Sequence, residues 1–426
     1  MKTSWQTFQD EALDKLRALV RLDTTNPPGN ERIAVDYIAG VLGRDGIECV
    51  IREGAPTRAN LVTKIAGRDS TKGALMLSSH TDVVPVERSG WTREPFSGEI
   101  ADGCLWGRGS IDMKSKGAMD LMLMIALKRA GVAPDRDLIL AAVADEEAGS
   151  EDGAKFLVER YPDLVRAAFV LNEVGGFTVH VGPRRFYPIQ VAEKGFVTVK
   201  MKVTAPPGHG SMPRRDTAIS RMAELITKIT KTPMRQKVNP VVRNALKEMG
   251  LQIEAAGALF APMLSNTVSP TILNSGYKDN VIPGEATLVL DGRTLPGEDP
   301  ESFMAELRAI VGPEPTFELL RTAPPVETSA NTPLFDLIRE RVEANDPGSR
   351  AIPWMIPGAT DNKFYSLLGA ACYGFSPVKL ERHVPFGSLF HGNDERIPID
   401  GFQWGLKVYT EVVLNFVGIK FDDVFC

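Results

Sequence analysis

Leu138 to Val143 is an unbroken run of six apolar residues, and Ala74 to Leu77 and Ala167 to Leu171 repeat its texture. Short continuous apolar runs of this kind read as strands covered on both faces. Asn60 to Ile65 adds a further strand. Helical spacing lies between them: Phe8, Leu13, Leu16, Leu19 and Val20 form one stripe over Phe8 to Arg21, ended by the Pro-containing stretch Asp23 to Pro28. A long apolar helix is predicted over roughly Gly117 to Ala130 and a short one over Gly153 to Glu159. Strands alternating with helices predict an α/β fold built on a mostly parallel central sheet flanked by helices.

The texture changes near Glu193. Gly195 to Val203 alternates with period two, the mark of a half-exposed antiparallel strand. A helix over Ala218 to Ile229, strands over Thr267 to Asn274 and Ala286 to Asp291, and a helix over Glu301 to Ile310 follow. The chain then resumes with helices over Leu334 to Val342 and Trp404 to Leu414. We read residues 193–321 as an inserted α+β domain, a two-layer sandwich, and 1–192 with 322–426 as its host. A chain of 426 residues is long enough for two such cores.

Bulk composition narrows the function classes. The apolar share of 43% and charged share of 24% are those of an ordinary globular protein, and the net charge of -5 gives no reason to expect a nucleic-acid partner. No apolar stretch reaches membrane-spanning length, so no membrane is expected. The charged amphipathic start and four scattered cysteines point to a cytoplasmic protein without a disulfide framework.

Candidate chemistry gathers where the apolar runs end. In an open parallel sheet, ligands collect at the carboxyl ends of strands. His80 and Asp82 follow one run, Asp145, Glu146 and Glu147 a second, and Glu173 a third. Asp82 can take the ring N–H of His80 and fix which nitrogen faces a metal. Asp112 lies in Gly107-Arg-Gly-Ser-Ile-Asp-Met-Lys; it could cap the next helix, but capping has no need of two upstream glycines, whereas a carboxylate bridging two cations gains from close backbone approach. His391 precedes Gly392 and completes two three-ligand shells that share Asp112. Of the adjacent glutamates, one can bind metal while the other moves a proton. His209, between two glycines in the inserted domain, can donate to an oxyanion. His180 and His383 lack comparable neighbours.

Together, Ser79-His-Thr-Asp-Val-Val-Pro, Gly107-Arg-Gly-Ser-Ile-Asp-Met-Lys-Ser-Lys-Gly, Ala144-Asp-Glu-Glu, Leu171-Asn-Glu, Gly208-His-Gly-Ser-Met-Pro and Phe390-His-Gly resemble the peptidase M20 family. The resemblance runs in order over nearly the whole chain and implies an amidohydrolase of N-acyl amino acids or short peptides carrying two Zn²⁺, with Co²⁺ or Mn²⁺ as substitutes; a dipeptidase or carboxypeptidase of the same family is the alternative, and an inactive scaffold of the same fold the non-enzyme one. It implies His80, Asp112 and Glu173 for one ion and Asp112, Glu147 and His391 for the other. Glu146 would be the general base and acid. The inserted domain would be a lid that forms a homodimer, with His209 serving the partner subunit and Asn280 binding substrate. Lys363 stands where some aminoacylase-like members carry a carboxylate-binding arginine; it keeps the charge without the planar fork. Phe260, Met263 and Leu264 in the lid suggest tolerance of an apolar acyl group.

Overall fold

The computed structural model describes residues 2–255, 260–384 and 386–426. The chain divides into two compact units, one of Met1–Val191, Thr328–Pro353 and Thr360–Cys426, the other of Ala192–Glu327 and Trp354–Ala359.

Four parallel strands run through the sheet of the larger unit, in the spatial order Leu138–Val143, Leu75–His80, Phe169–Asn172 and Ala371–Gly374. Arg58–Ile65 pairs antiparallel outside Leu138–Val143, and Val50–Ala55 pairs with it in turn. Every residue of the first two parallel strands is buried, and Leu138–Val143 and the Leu75-Met76-Leu77 half of its neighbour are accordingly apolar without alternation. Met76, Ile139, Ala141, Val143 and Val170 pack against Ala154, Leu157 and Val158. The helix Lys114–Ala130 packs along Leu75–His80 and is buried from Lys114 to Leu127. It stops at Gly131, whose φ of 68° supplies a left-handed cap at no steric cost.

In the smaller unit a four-stranded antiparallel sheet has the order Thr267–Ser275, Glu285–Thr294, Gly195–Thr204, Thr316–Ala323. Gly195–Thr204 and Glu285–Thr294 alternate between buried and partly exposed positions, so one face is covered. The helices Ala218–Lys231 and Pro300–Val311 cover it, setting Met222, Leu225, Ile229, Phe303 and Leu307 against Val197, Val199, Met201, Leu288 and Leu290. Gly292 is required there: a Cβ would stand 2.3 Å from the Phe303 ring. Phe260 and Met263 are buried as well, Phe260 meeting Trp354 edge to face at 5.4 Å. Leu264, beside them, is partly exposed. Among the described residues, no helix is long and apolar enough to cross a membrane.

Candidate metal centre

Three neighbouring parallel strands deliver the acids and one imidazole to a single edge. His80 is the last residue of its strand and pairs with Val143, Glu173 follows Asn172, and a 3-10 turn over Glu146–Ala148 begins just beyond Val143. The backbone turns at Asp145, which has a φ of 67°. Its carboxylate accepts from Arg58 Nη2 at 2.7 Å, Asn26 Nδ2 at 3.1 Å and the Asp152 N–H at 3.0 Å. Asp145 is therefore the acid that shapes the turn, leaving Glu146 and Glu147 to face the cluster.

Asp112 does not cap the helix that follows it. That helix begins at Lys114 with no side-chain cap. Instead its two oxygens separate: Oδ1 lies 3.1 Å from His80 Nε2 and Oδ2 lies 3.2 Å from His391 Nε2. Glu173 Oε2 stands 3.6 Å from the same His80 nitrogen, and Glu147 Oε2 3.2 Å from the same His391 nitrogen. His80, Asp112 and Glu173 form one group able to hold a metal ion, and Asp112, Glu147 and His391 form another.

Asp82 orients more than one partner. His80 Nδ1 lies 3.0 Å from the Asp82 main-chain oxygen and 3.4 Å from its Oδ1, so the main chain is the nearer acceptor. The Asp82 carboxylate receives the N–H groups of Glu146 at 3.2 Å and Glu147 at 3.1 Å, and Asn26 Nδ2 at 2.8 Å. One buried aspartate thus ties the histidine strand to the glutamate turn.

The donors fit a pair of divalent cations. With the Nδ1 proton of His80 directed to Asp82, the Nε2 lone pair points at two carboxylate oxygens, an arrangement that needs a positive centre between them. Glu147 Oε1 is buried without a hydrogen-bond partner. Without metal, protons must fill this role. Burial, followed by the charges of Asp112 and Glu147, outweighs the pull of His80 and pushes Glu173 up to about 8. Hydrogen bonds that His391 donates to the Asp112 and Glu147 carboxylates push it up to about 10. Burial opposes the charged form of His80, but Glu173, Asp112 and Asp82 prevail and raise it well above its ordinary value. Imidazole and carboxylate donors shared across one aspartate suit zinc or a similar divalent ion.

Glu146 belongs to neither metal group. Burial and then the Glu173 charge raise its pKa well above the usual range, against the pull of Lys363. Lys363 is buried, bonding Thr360 O at 3.0 Å and Ser150 Oγ at 3.3 Å, with Glu146 Oε1 3.8 Å away. His209 and Asn280 lie in the smaller unit and are brought together there. Gly208–His209 pairs with Val281–Ile282, and the Gly210 N–H donates to Asn280 O at 2.8 Å. His209 Nδ1 accepts from the Ser211 N–H at 3.2 Å, which leaves the ring proton on Nε2. His180 bonds Leu380 O at 3.0 Å, and His383 is exposed.

The sequence reading overlooked Arg108 and Glu395. They form a buried ion pair at 2.7 Å beside Asp112. The available signal was Glu395 itself, four residues past His391 in an otherwise polar loop.

Residues 76–415 match the sequence profile of peptidase family M20/M25/M40. The chain is 27% identical over 399 residues to probable carboxypeptidase S-like 2 of Dictyostelium discoideum, covering 84% of this chain and 74% of that protein. It is 28% identical over 415 residues to aminoacylase-1 of Sus scrofa, covering 93% of each. The fold matches the M20 family metallo-carboxypeptidase Sso-CP2 from Sulfolobus solfataricus with a TM-score of 0.76 at 20% identity, over 95% of this chain and 98% of that one. Paired His/Asp/Glu groups able to hold metal ions and a profile match across most of the sequence lead to one assignment: the chain belongs to peptidase family M20/M25/M40 and is a metal-dependent hydrolase.

Proposed function

We propose that the protein hydrolyses the amide bond of N-acyl amino acids or short peptides next to a free carboxylate. The observation that carries this reading is Asp112, whose two oxygens face two different imidazoles at 3.1 and 3.2 Å while Glu146 stands outside both groups. His80, Asp112 and Glu173 would hold one zinc ion, and Asp112, Glu147 and His391 the other. The chemistry that such a pair would supply when bound is polarisation of the scissile carbonyl and a water made nucleophilic near neutral pH.

The protein side chains do the rest. Glu146 takes a proton from the attacking water at a carboxylate oxygen and returns it to the leaving nitrogen, so that amide and water yield acid and amine. A carboxylate with a raised pKa suits both directions of this transfer. Asp82 holds His80 and the Glu146 turn in register. Lys363 supplies positive charge for the substrate carboxylate. His209 of the partner subunit donates its Nε2 proton to the developing oxyanion, and Asn280 adds a polar contact to substrate, within a homodimer formed through the inserted domain. A cytoplasmic setting completes this reading, in keeping with four cysteines scattered along the chain. Coverage of 93% of both chains supports the aminoacylase branch.

The test is a panel of N-acyl amino acids, dipeptides and longer peptides, assayed with zinc content measured on the same preparation. Turnover should follow zinc and favour substrates with a free α-carboxylate. A chain that holds two ions and cleaves none of the panel would overturn the proposal.

A further inference from the structure

Glu395 is fully buried, and both of its carboxylate oxygens are occupied. Oε1 accepts the N–H groups of Ile111 at 2.7 Å and Asp112 at 3.2 Å. Oε2 accepts Arg108 Nη1 at 2.7 Å and the Gly109 N–H at 3.0 Å. The arrangement follows from strand pairing. Arg396–Pro398 pairs antiparallel with Cys104–Trp106, and beyond that register the Gly107 N–H donates to Glu395 O at 2.9 Å. Glu395 is thereby carried under the loop that ends in Asp112.

Arg108 extends the link. It is 2% exposed, and its Nη2 reaches the main-chain oxygen of His391 at 3.4 Å. His391 needs such support, because its φ of 57° is a left-handed conformation that non-glycine residues seldom hold without it. Its side chain is also 55% exposed, so few other contacts fix it.

The two metal groups therefore differ in how they are held. His80 and Glu173 sit at the ends of sheet strands, and only Asp112 in that group comes from the Glu395-bound loop. In the other group, Asp112 and His391 both come from loops that the Arg108–Glu395 pair pins.

Building on the dinuclear reading above, we propose that Arg108 and Glu395 are positioning residues that set the affinity of the ion held by Asp112, Glu147 and His391. They touch neither substrate nor reacting atoms; they act by fixing Asp112 and His391 relative to one another. Glu395→Gln keeps the shape but turns an NH₂ group toward N–H donors, releasing one side of the loop. Arg108→Lys keeps the charge pair and gives up the second donor that reaches His391.

The experiment challenges zinc-loaded protein with graded concentrations of a chelator and measures zinc retained per chain. Wild type should give up its second ion only at high chelator. Each variant should lose one ion at a chelator strength roughly 10-fold or more lower, the usual scale for disturbing the partners of metal ligands, and keep the other ion as wild type does. In a His391→Ala background, adding Glu395→Gln should change the retention of the remaining ion little. A merely structural role would lower thermal stability and leave the ratio of the two affinities unchanged, and that result overturns the proposal. So does equal loss of both ions. If Glu395→Gln does not fold, Arg108→Lys carries the test alone. Wild-type protein that never retains more than one zinc would instead sink the dinuclear reading itself.

Discussion

Lys363 Nζ stands 3.8 Å from Glu146 Oε1, with 3% and 11% of the two side chains exposed. Two of the three ammonium donors are committed to Thr360 O and Ser150 Oγ, so the charge is held in place beside the carboxylate. If this charge also meets the substrate, Lys363→Met should erode the preference for free acids over their methyl esters. Loss of one charge-assisted hydrogen bond predicts a fall of roughly 10–100-fold in that ratio of kcat/KM. An unchanged ratio with lower kcat would confine Lys363 to holding Glu146.

Glu146→Gln separates metal binding from proton transfer. The residue lies outside both ligand groups, so zinc content should match wild type while kcat falls by roughly 10²–10⁴-fold. Near-normal turnover by the zinc-loaded variant would assign the proton to another group.

The two ion sites should be separable by substitution. His80→Ala should empty one and His391→Ala the other, whereas His383→Ala, at an exposed position, should spare both. Diffraction from metal-loaded crystals should place the ions about 3.5–4 Å apart with Asp112 between them. Ions remote from Asp112 would refute the shared ligand.

Metal loading should release protons. Glu173, pushed up to about 8, and His391, up to about 10, are both protonated at pH 7 in the metal-free chain. Calorimetry in buffers of different ionisation enthalpy should therefore detect about two or more protons released per chain on filling both sites. The same shifts set the sign of metal-free stability. Both groups bind protons more tightly folded than unfolded, so stability falls with rising pH, from 4.5 to about 8 for Glu173 and from 6.5 to about 10 for His391. A metal-free chain that gains stability across pH 6.5–8 would contradict this electrostatic account.

A mixed dimer tests the role given to His209. Neither His209→Ala nor Glu146→Gln should be active alone, the former losing roughly 10²–10³ in kcat. After subunit exchange, one site in each heterodimer pairs an intact Glu146 with an intact His209 of the partner subunit, and activity should return. No recovery despite demonstrated exchange would place His209 in its own chain's chemistry.

Much of the metal centre was legible because buried parallel strands write themselves as continuous apolar runs, and polar residues just past such runs stand out. His80, Glu173 and Glu147, which the structure brings into the two candidate ligand groups, stand out in the sequence in this way. Asp145 was not separable from its neighbours by sequence, since its role rests on a left-handed turn and on Arg58 and Asn26 far upstream. The helix Arg32–Arg44 escaped notice because Gly40, Gly43 and several β-branched residues weaken its propensity; burial of Ala34, Val35, Ile38, Val41 and Leu42 decides it. Pro240–Met249 was obscured by a proline that proves to lie at its first turn, where proline is tolerated. Arg108 and Glu395 were missed for a different reason. Their meaning appears only when a strand near residue 105 pairs with one near residue 397.

The strand Ala371–Gly374 lies between Phe169–Asn172 and Arg184–Glu193, an interior place in the sheet filled by a late part of the chain. During synthesis the earlier strands emerge and must wait with an open slot while some two hundred further residues are made. The Ala192–Glu327 segment has its own core and is fully synthesised before that slot closes. A ribosome stalled before residue 371 would thus carry a finished insert in an unfinished host whose open strand edges invite pairing with other chains. Premature termination in this protein should yield aggregates, not a crippled enzyme.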